Sequence, residues 1–119
     1  MAPKIQMVIS MIENDLDRDI PLEELAQRVN LSCSRLRHVF KEETGMTPAR
    51  YRKALRMQKA KKLVEETFLS MKEIMTSVGI RNKNQFARDF RKAYGLTPSE
   101  HRTHRELILE ASAAKSTAK

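Results

Sequence analysis

The chain has 119 residues, and 23 Lys+Arg against 15 Asp+Glu give it a formal net charge of +8. That length suits one compact domain or two very small ones, and no run approaches the ~18 apolar residues a membrane-spanning helix needs. A single cysteine excludes an internal disulfide and a multi-cysteine zinc site, and three glycines with no tryptophan leave little for a β-sandwich or a Gly-rich nucleotide fold.

What remains is a soluble, intracellular, mostly helical and basic domain whose expected partner is polyanionic. The first residues lack a basic segment followed by an apolar one, so no secretory signal is expected.

In chain order, Ile5, Val8, Ile9, Ile12 and Leu16 recur at helical spacing and predict a first amphipathic helix. Leu22, Leu25, Ala26 and Val29 form a second stripe at i, i+3, i+4 and i+7. Pro21 suits the first position of that helix, and Glu23 and Glu24 complement its N-terminal dipole. Asn30-Leu31-Ser32 turns the chain, with Ser32 as N-cap of a third helix. That helix buries Leu36, Val39 and Phe40 and stops at Thr44-Gly45, where glycine supplies a left-handed residue. Thr47 as N-cap and Pro48 at the first position begin a long helix with Tyr51, Leu55, Leu63 and Val64 on its apolar side. About 17 residues at 1.5 Å each make it a rod of roughly 25 Å, with Arg50, Arg52, Lys53, Arg56, Lys59, Lys61 and Lys62 outward. A further helix spans Met71–Val78, followed by a turn at Gly79 and a helix from about Lys83 to Tyr94 ended by Gly95. Thr97-Pro98 starts the last helix, expected through about Ala111, and the small, polar tail 112–119 is expected to be disordered. The fold class is all-α, with about seven helices and no strands.

An internal repeat organises these elements. Residues 40–52 align with residues 90–102 at an offset of 50, with five identities in 13 positions. Upstream, Leu22, Leu25, Val29 and Leu31 answer Met71, Ile74, Val78 and Ile80 at an offset of 49, so the second copy has one extra residue. Inside a helix that residue would rotate the apolar face by ~100°, so the slip belongs in the turn. The chain therefore divides into a first helix-turn-helix subdomain (residues 1–46), a linker helix (47–66), a second helix-turn-helix subdomain (67–111) and the tail (112–119). Met75 stands where the first copy has the small Ala26, which predicts looser or shifted packing in the second copy.

Charge follows the same division. Three of the 23 basic residues and six of the 15 acidic ones fall in residues 1–31, leaving 20 and nine for the rest. Such segregation fits a nucleic-acid footprint, in which cations neutralise phosphates and release counterions; a solvated basic surface is the plainer alternative. On the second helix of the first copy, Ser34, Arg37, His38 and Lys41 share one stripe facing away from Leu36, Val39 and Phe40. The second copy offers Lys83, Asn84, Gln85, Arg88 and Arg91. Arginine bridges guanine O6 and N7, and Asn or Gln pairs with adenine N6 and N7, so both faces suit base edges in a major groove. Lys41, Arg91 and Lys92, later in each helix, suit phosphates, as do Arg52, Arg56 and Arg102.

The pattern Gly79-Ile80-x5-Phe86-x3-Phe90-x4-Gly95-Leu96-Thr97-Pro98-x3-Arg102 resembles the signature of the AraC/XylS family of bacterial transcription regulators. The first copy, from Leu22-Glu23-Glu24-Leu25-Ala26 to Thr47-Pro48-x2-Tyr51-Arg52, is similar to that family's first helix-turn-helix, and the likeness covers about residues 5 to 106. It implies two recognition helices held about one DNA turn, ~34 Å, apart. By position, base reading falls on Ser34, Arg37 and His38 with Arg35 flanking, and on Lys83, Asn84, Gln85 and Arg88. The sequence departs from the family at Ile80 (usually Phe), His101 (often Tyr) and Met75 (a small residue). The resemblance further implies a transcription regulator, not an enzyme, that binds double-stranded DNA in the bacterial cytoplasm and nucleoid. It needs no cofactor or membrane; RNA polymerase is a second candidate partner. Two readers in one chain suggest a monomer, with a dimerising longer regulator as the alternative. The rival from another class is a helical protein-interaction or RNA-binding module with a basic face.

Other candidates are plainer. Cys33 opens the third helix, where the dipole favours a thiolate, but a lone thiol there is more often incidental. His101 and His104 lack the further ligands of a metal site, and no motif pairs His38 with a nucleophile. The seven methionines suit core filling.

Overall fold

The chain, seen in a computed structural model, is described over residues 2–117, with side chains over residues 2–112. Among the described residues it forms seven helices and no strand: α1 (Pro3–Asn14), α2 (Leu22–Arg28), α3 (Cys33–Thr44), α4 (Pro48–Glu66), α5 (Met71–Val78), α6 (Lys83–Tyr94) and α7 (Pro98–Thr117). They assemble into two units, one ending at Arg56 and the other beginning at Met57.

Each unit has its own core. In the first, Ile5, Val8, Ile12 and Leu16 meet Leu25, Ala26 and Val29, and Leu36 and Phe40 of α3 close the cluster. Tyr51 and Leu55 of α4 pack against it, and the Phe40 and Tyr51 rings meet edge to face at 5.4 Å. In the second, Met57, Ala60 and Val64 of α4 join Ile74, Met75 and Val78 of α5 and Phe86 and Phe90 of α6. The Phe90 ring meets Phe86, Tyr94 and His101 edge-on at 4.8–5.8 Å. The division therefore falls inside α4, whose first part packs on the first core and whose second part packs in the second. Met75 lies within its core at 8% exposure, and His101 meets Phe90 at the position where the family often has tyrosine.

The turns explain why each copy folds as it does. Ser32 caps α3 by accepting from the Arg35 amide, and Asn82 caps α6 by accepting from Gln85. The α2–α3 turn closes with Leu31 N–H donating to Ala26 at 3.0 Å, and the α5–α6 turn with Ile80 N–H donating to Met75 at 2.9 Å. The left-handed residue of the second turn is Gly79 (φ 76), and its counterpart in the first is Asn30 (φ 55). Asparagine is among the few side chains that tolerate that region. The extra residue of the second copy is Arg81, between Ile80 and the Asn82 cap, so the slip lies in the turn and both apolar faces keep their phase.

Two helix starts differ from expectation. Pro21 is the N-cap of α2 and not its first helical residue. At α5, Ser70 and Glu73 form a capping box, not among the expected caps although its Ser-x-x-Glu spacing stands in the sequence. At the other end, α7 continues to Thr117, past Ala111, through strong helix formers such as Ala113, Ala114 and Lys115. Of the tail expected to be disordered, residues 118–119 lie outside the described residues.

Candidate nucleic-acid interface

In each unit the second helix of the turn buries two aromatic or aliphatic anchors and exposes the opposite side. On α3, Leu36 and Phe40 are fully buried while Ser34, Arg35, Arg37, His38 and Lys41 are exposed. On α6, Phe86 and Phe90 are buried while Lys83, Asn84, Gln85, Arg88, Arg91 and Lys92 are exposed. The period of 3.6 residues makes this separation: anchors four apart fix one face, Arg37, His38 and Arg88 between them look outward, and Val39 and Asp89 lie half-buried at its edge.

The two faces are organised differently. On α3, Arg37 has no hydrogen-bond or ion-pair partner among the described residues, so its donors are available to a ligand. It borders a cavity of about 230 Å³ walled by Ile12, Ile20, Leu22, Leu25 and Pro48. His38 Nε2 meets Glu42 Oε1 at 3.0 Å, both side chains more than half exposed; the sequence reading missed Glu42. On α6 the side chains are tied together: Gln85 Nε2 donates to Asp89 Oδ1 at 2.9 Å, and Arg88 Nη2 donates to Gln85 Oε1 at 3.0 Å. Asp89, also missed, sits one turn from Gln85.

Three arginines expected on phosphate face inward instead. Arg52 Nη1 donates to the Ile20 carbonyl at 3.1 Å. Arg56, with a side chain only 12% exposed, donates to the carbonyls of Leu16 and Arg18 and pairs with Asp19 at 2.9 Å. Arg102 donates to the carbonyls of Leu69 and Thr67, and Arg105 beside it to those of Val64, Glu65 and Thr67. These carbonyls belong to the loop before α2 and to the end of α4 with the segment after it, where main-chain acceptors lack helical partners. Burial lowers the pKa of Arg52 and of Arg102, and the neighbouring cations Arg56 and Arg105 lower each further. An arginine guanidinium keeps its charge in a folded protein, so each works as a cationic clamp on carbonyl oxygens.

A signal for this was present in the repeat. Its five identities are Phe40/Phe90, Gly45/Gly95, Thr47/Thr97, Pro48/Pro98 and Arg52/Arg102. Four of them are anchor, C-cap, N-cap and helix start, all structural, whereas the exposed polar positions differ between copies. The fifth identity belongs with the first four.

Among the described residues no group of three or more His, Cys, Asp or Glu side chains could hold a metal ion, and no helix is long and apolar enough to cross a membrane.

Comparison with known proteins places these features in a wider set. A helix-turn-helix domain model matches residues 25–104. The HTH-type transcriptional regulator GbdR of Pseudomonas aeruginosa is 31% identical over 100 residues, covering 84% of this chain and 27% of GbdR. The chain thus spans about a quarter of that relative's length. Among solved structures, the C-terminal domain of AraT, a response regulator from Geobacillus stearothermophilus, superposes with a TM-score of 0.80 at 30% identity, covering 87% of each chain. The DNA-binding domain of AdpA, a global transcriptional factor solved in complex with a target DNA, shares the fold with a TM-score of 0.82 at 22% identity, covering 90% of this chain and 96% of that one.

Proposed function

The chain belongs to the AraC-type helix-turn-helix family and is a DNA-binding transcription-regulator domain; from that premise we propose that α3 and α6 are its two recognition helices, each entering a major-groove segment of one duplex. The observation that carries the reading is the duplicated face: both helices bury a pair of anchors and expose cationic and amide side chains opposite them. Ser34, Arg35, Arg37 and His38 on α3, and Lys83, Asn84, Gln85 and Arg88 on α6, contact base edges. Arg37, with its donors unengaged, matches guanine O6 and N7, and Asn84 or Gln85 matches adenine. Lys41, Arg91 and Lys92 lie one to two turns further along and contact phosphates. Arg52, Arg56 and Arg102 do not join them, because their donors hold the fold.

With two readers in one chain, binding is as a monomer to an asymmetric site of ~20 bp, and the protein resides on the bacterial nucleoid. Selection of bound duplexes from a random library tests the reading. One enriched motif is expected. On the selected duplex, Arg37→Ala costs ~1–3 kcal/mol and relaxes preference at one or two positions. Lys41→Ala weakens all duplexes alike and reduces the slope of log K against log salt by about 0.9. Absence of any enriched motif, or Arg37→Ala and Arg88→Ala variants that keep the parent's preferences, would favour the basic protein- or RNA-binding alternative.

A further inference from the structure

The anomaly on α6 is Asp89. Its counterpart in the first copy is Val39, which packs against the first core. An aspartate at that place, half-buried in the middle of a helix, has poor helix propensity and is the one acidic residue in a helix that otherwise exposes cations and amides. Two local departures at one position point to a role outside folding.

The hydrogen bonds supply that role. Gln85 lies between a carboxylate, which only accepts, and the Arg88 guanidinium, which only donates. The amide has one orientation that satisfies both: nitrogen toward Asp89, oxygen toward Arg88. Each end of the amide then retains one unused site, an N–H at Nε2 and a lone pair at Oε1. A donor beside an acceptor complements adenine, whose major-groove edge shows the N7 acceptor and the N6–H donor. Guanine shows two acceptors, N7 and O6, and faces the lone pair of Oε1 with a lone pair of its own.

We propose that Asp89 is a positioning residue for base recognition: by holding Gln85 between itself and Arg88, it fixes the amide in the orientation that accepts adenine and refuses guanine. Asp89 touches no base in this scheme, and the proposal rests on the reading of α6 as a base-contacting helix.

Asp89→Asn and Asp89→Ala separate the acceptor from the charge. Both remove the same negative charge, so both raise affinity for random duplex alike; Asn keeps an oxygen for Gln85, and Ala does not. Duplex selection with the parent chain, Asp89→Asn, Asp89→Ala and Gln85→Ala is the test. The parent is expected to prefer adenine over guanine roughly tenfold at one position. Asp89→Asn retains that preference within about twofold, and Asp89→Ala drops it to about threefold or less, as does Gln85→Ala. In the DNA-free chain, the Gln85 side-chain amide signals in an NMR spectrum move to free-amide positions in Asp89→Ala and hold in Asp89→Asn. If Gln85→Ala loses the preference while Asp89→Ala keeps it, the positioning role is wrong and base reading by α6 stands. If Asp89→Asn loses it as fully as Asp89→Ala, charge and not the acceptor matters, and the proposal also fails. If Gln85→Ala, Arg88→Ala and Asp89→Ala all keep the parent's preferences, base reading by Gln85 and Arg88 is refuted, and the positioning role of Asp89 with it.

Discussion

Arg102→Met distinguishes a clamp on the fold from a contact on DNA, because the two roles move different observables. Methionine keeps an unbranched stem of similar reach and deletes the charged donors. In the structure those donors serve the carbonyls of Leu69 and Thr67, with Leu63 at the limit of 3.5 Å. The Thr67 oxygen keeps Arg105 at 3.1 Å, so Leu69 is the acceptor left without a side-chain donor. Arg102 Nε is buried with no partner among the described residues, a cost that methionine removes. A charged donor on a neutral acceptor is worth ~1.5–3 kcal/mol net, and the loss is expected in that range. An unfolding entropy of ~2.1 cal/mol/K per residue gives about 250 cal/mol/K for a chain of this length, so the Tm falls by roughly 6–12 °C. Thermal unfolding followed by circular dichroism measures that fall, and a salt titration of duplex binding well below the Tm measures the other role. A fold clamp leaves the slope of log K against log salt unchanged, whereas a lost phosphate contact lowers it by about 0.9. A variant that melts within about 1 °C of the parent while losing that slope would refute the assignment and return Arg102 to the phosphate set.

Three further outcomes follow from the same geometry. Phe40→Ala and Phe90→Ala each remove a fully buried ring and cost ~3–5 kcal/mol; amide hydrogen exchange accelerates first in the unit that carries the substitution. Asn30→Ala places a Cβ-bearing residue without local hydrogen bonding at φ 55 and lowers stability by ~1 kcal/mol in urea unfolding, while Asn30→Gly stays within about 0.5 kcal/mol of the parent. The carboxylates of Glu73 and Glu100 accept from the backbone amides of Ser70 and Thr97, which lowers both pKa values below the ordinary 4.5. With the folded pKa depressed, their contribution is fully present above the ordinary value and is lost as pH falls through the folded one. The urea midpoint is thus expected to drop in acid, and Glu73→Gln with Glu100→Gln to remove part of that drop. An unchanged acid profile in the double variant would show both carboxylate caps to be inert.

The helices, the duplicated turn and the outward polar faces of α3 and α6 were legible along the chain. Those features are set by local rules: helical spacing of Leu22, Leu25, Ala26 and Val29, caps at Ser32 and Thr47, and left-handed glycines at positions 45 and 95. Each needs only a few neighbouring residues to specify it, so each is readable along the chain. Which cations hold the fold was settled by contacts between distant parts of the chain. Arg52, Arg56 and Arg102 look like the other cations of a basic helix in the sequence, but carbonyls 32–40 residues away claim them. Likewise the left-handed backbone of Asn30 is set by how the following helix must leave, although the alignment of the two copies already pairs it with Gly79. Asp89 belongs to both levels: its anomaly is visible against Val39, and its purpose only in the bond to Gln85. The net charge of +8 therefore divides into cations that face outward and cations that hold the fold, and partners distant in sequence make that division because an unsatisfied carbonyl competes with solvent for the same donors.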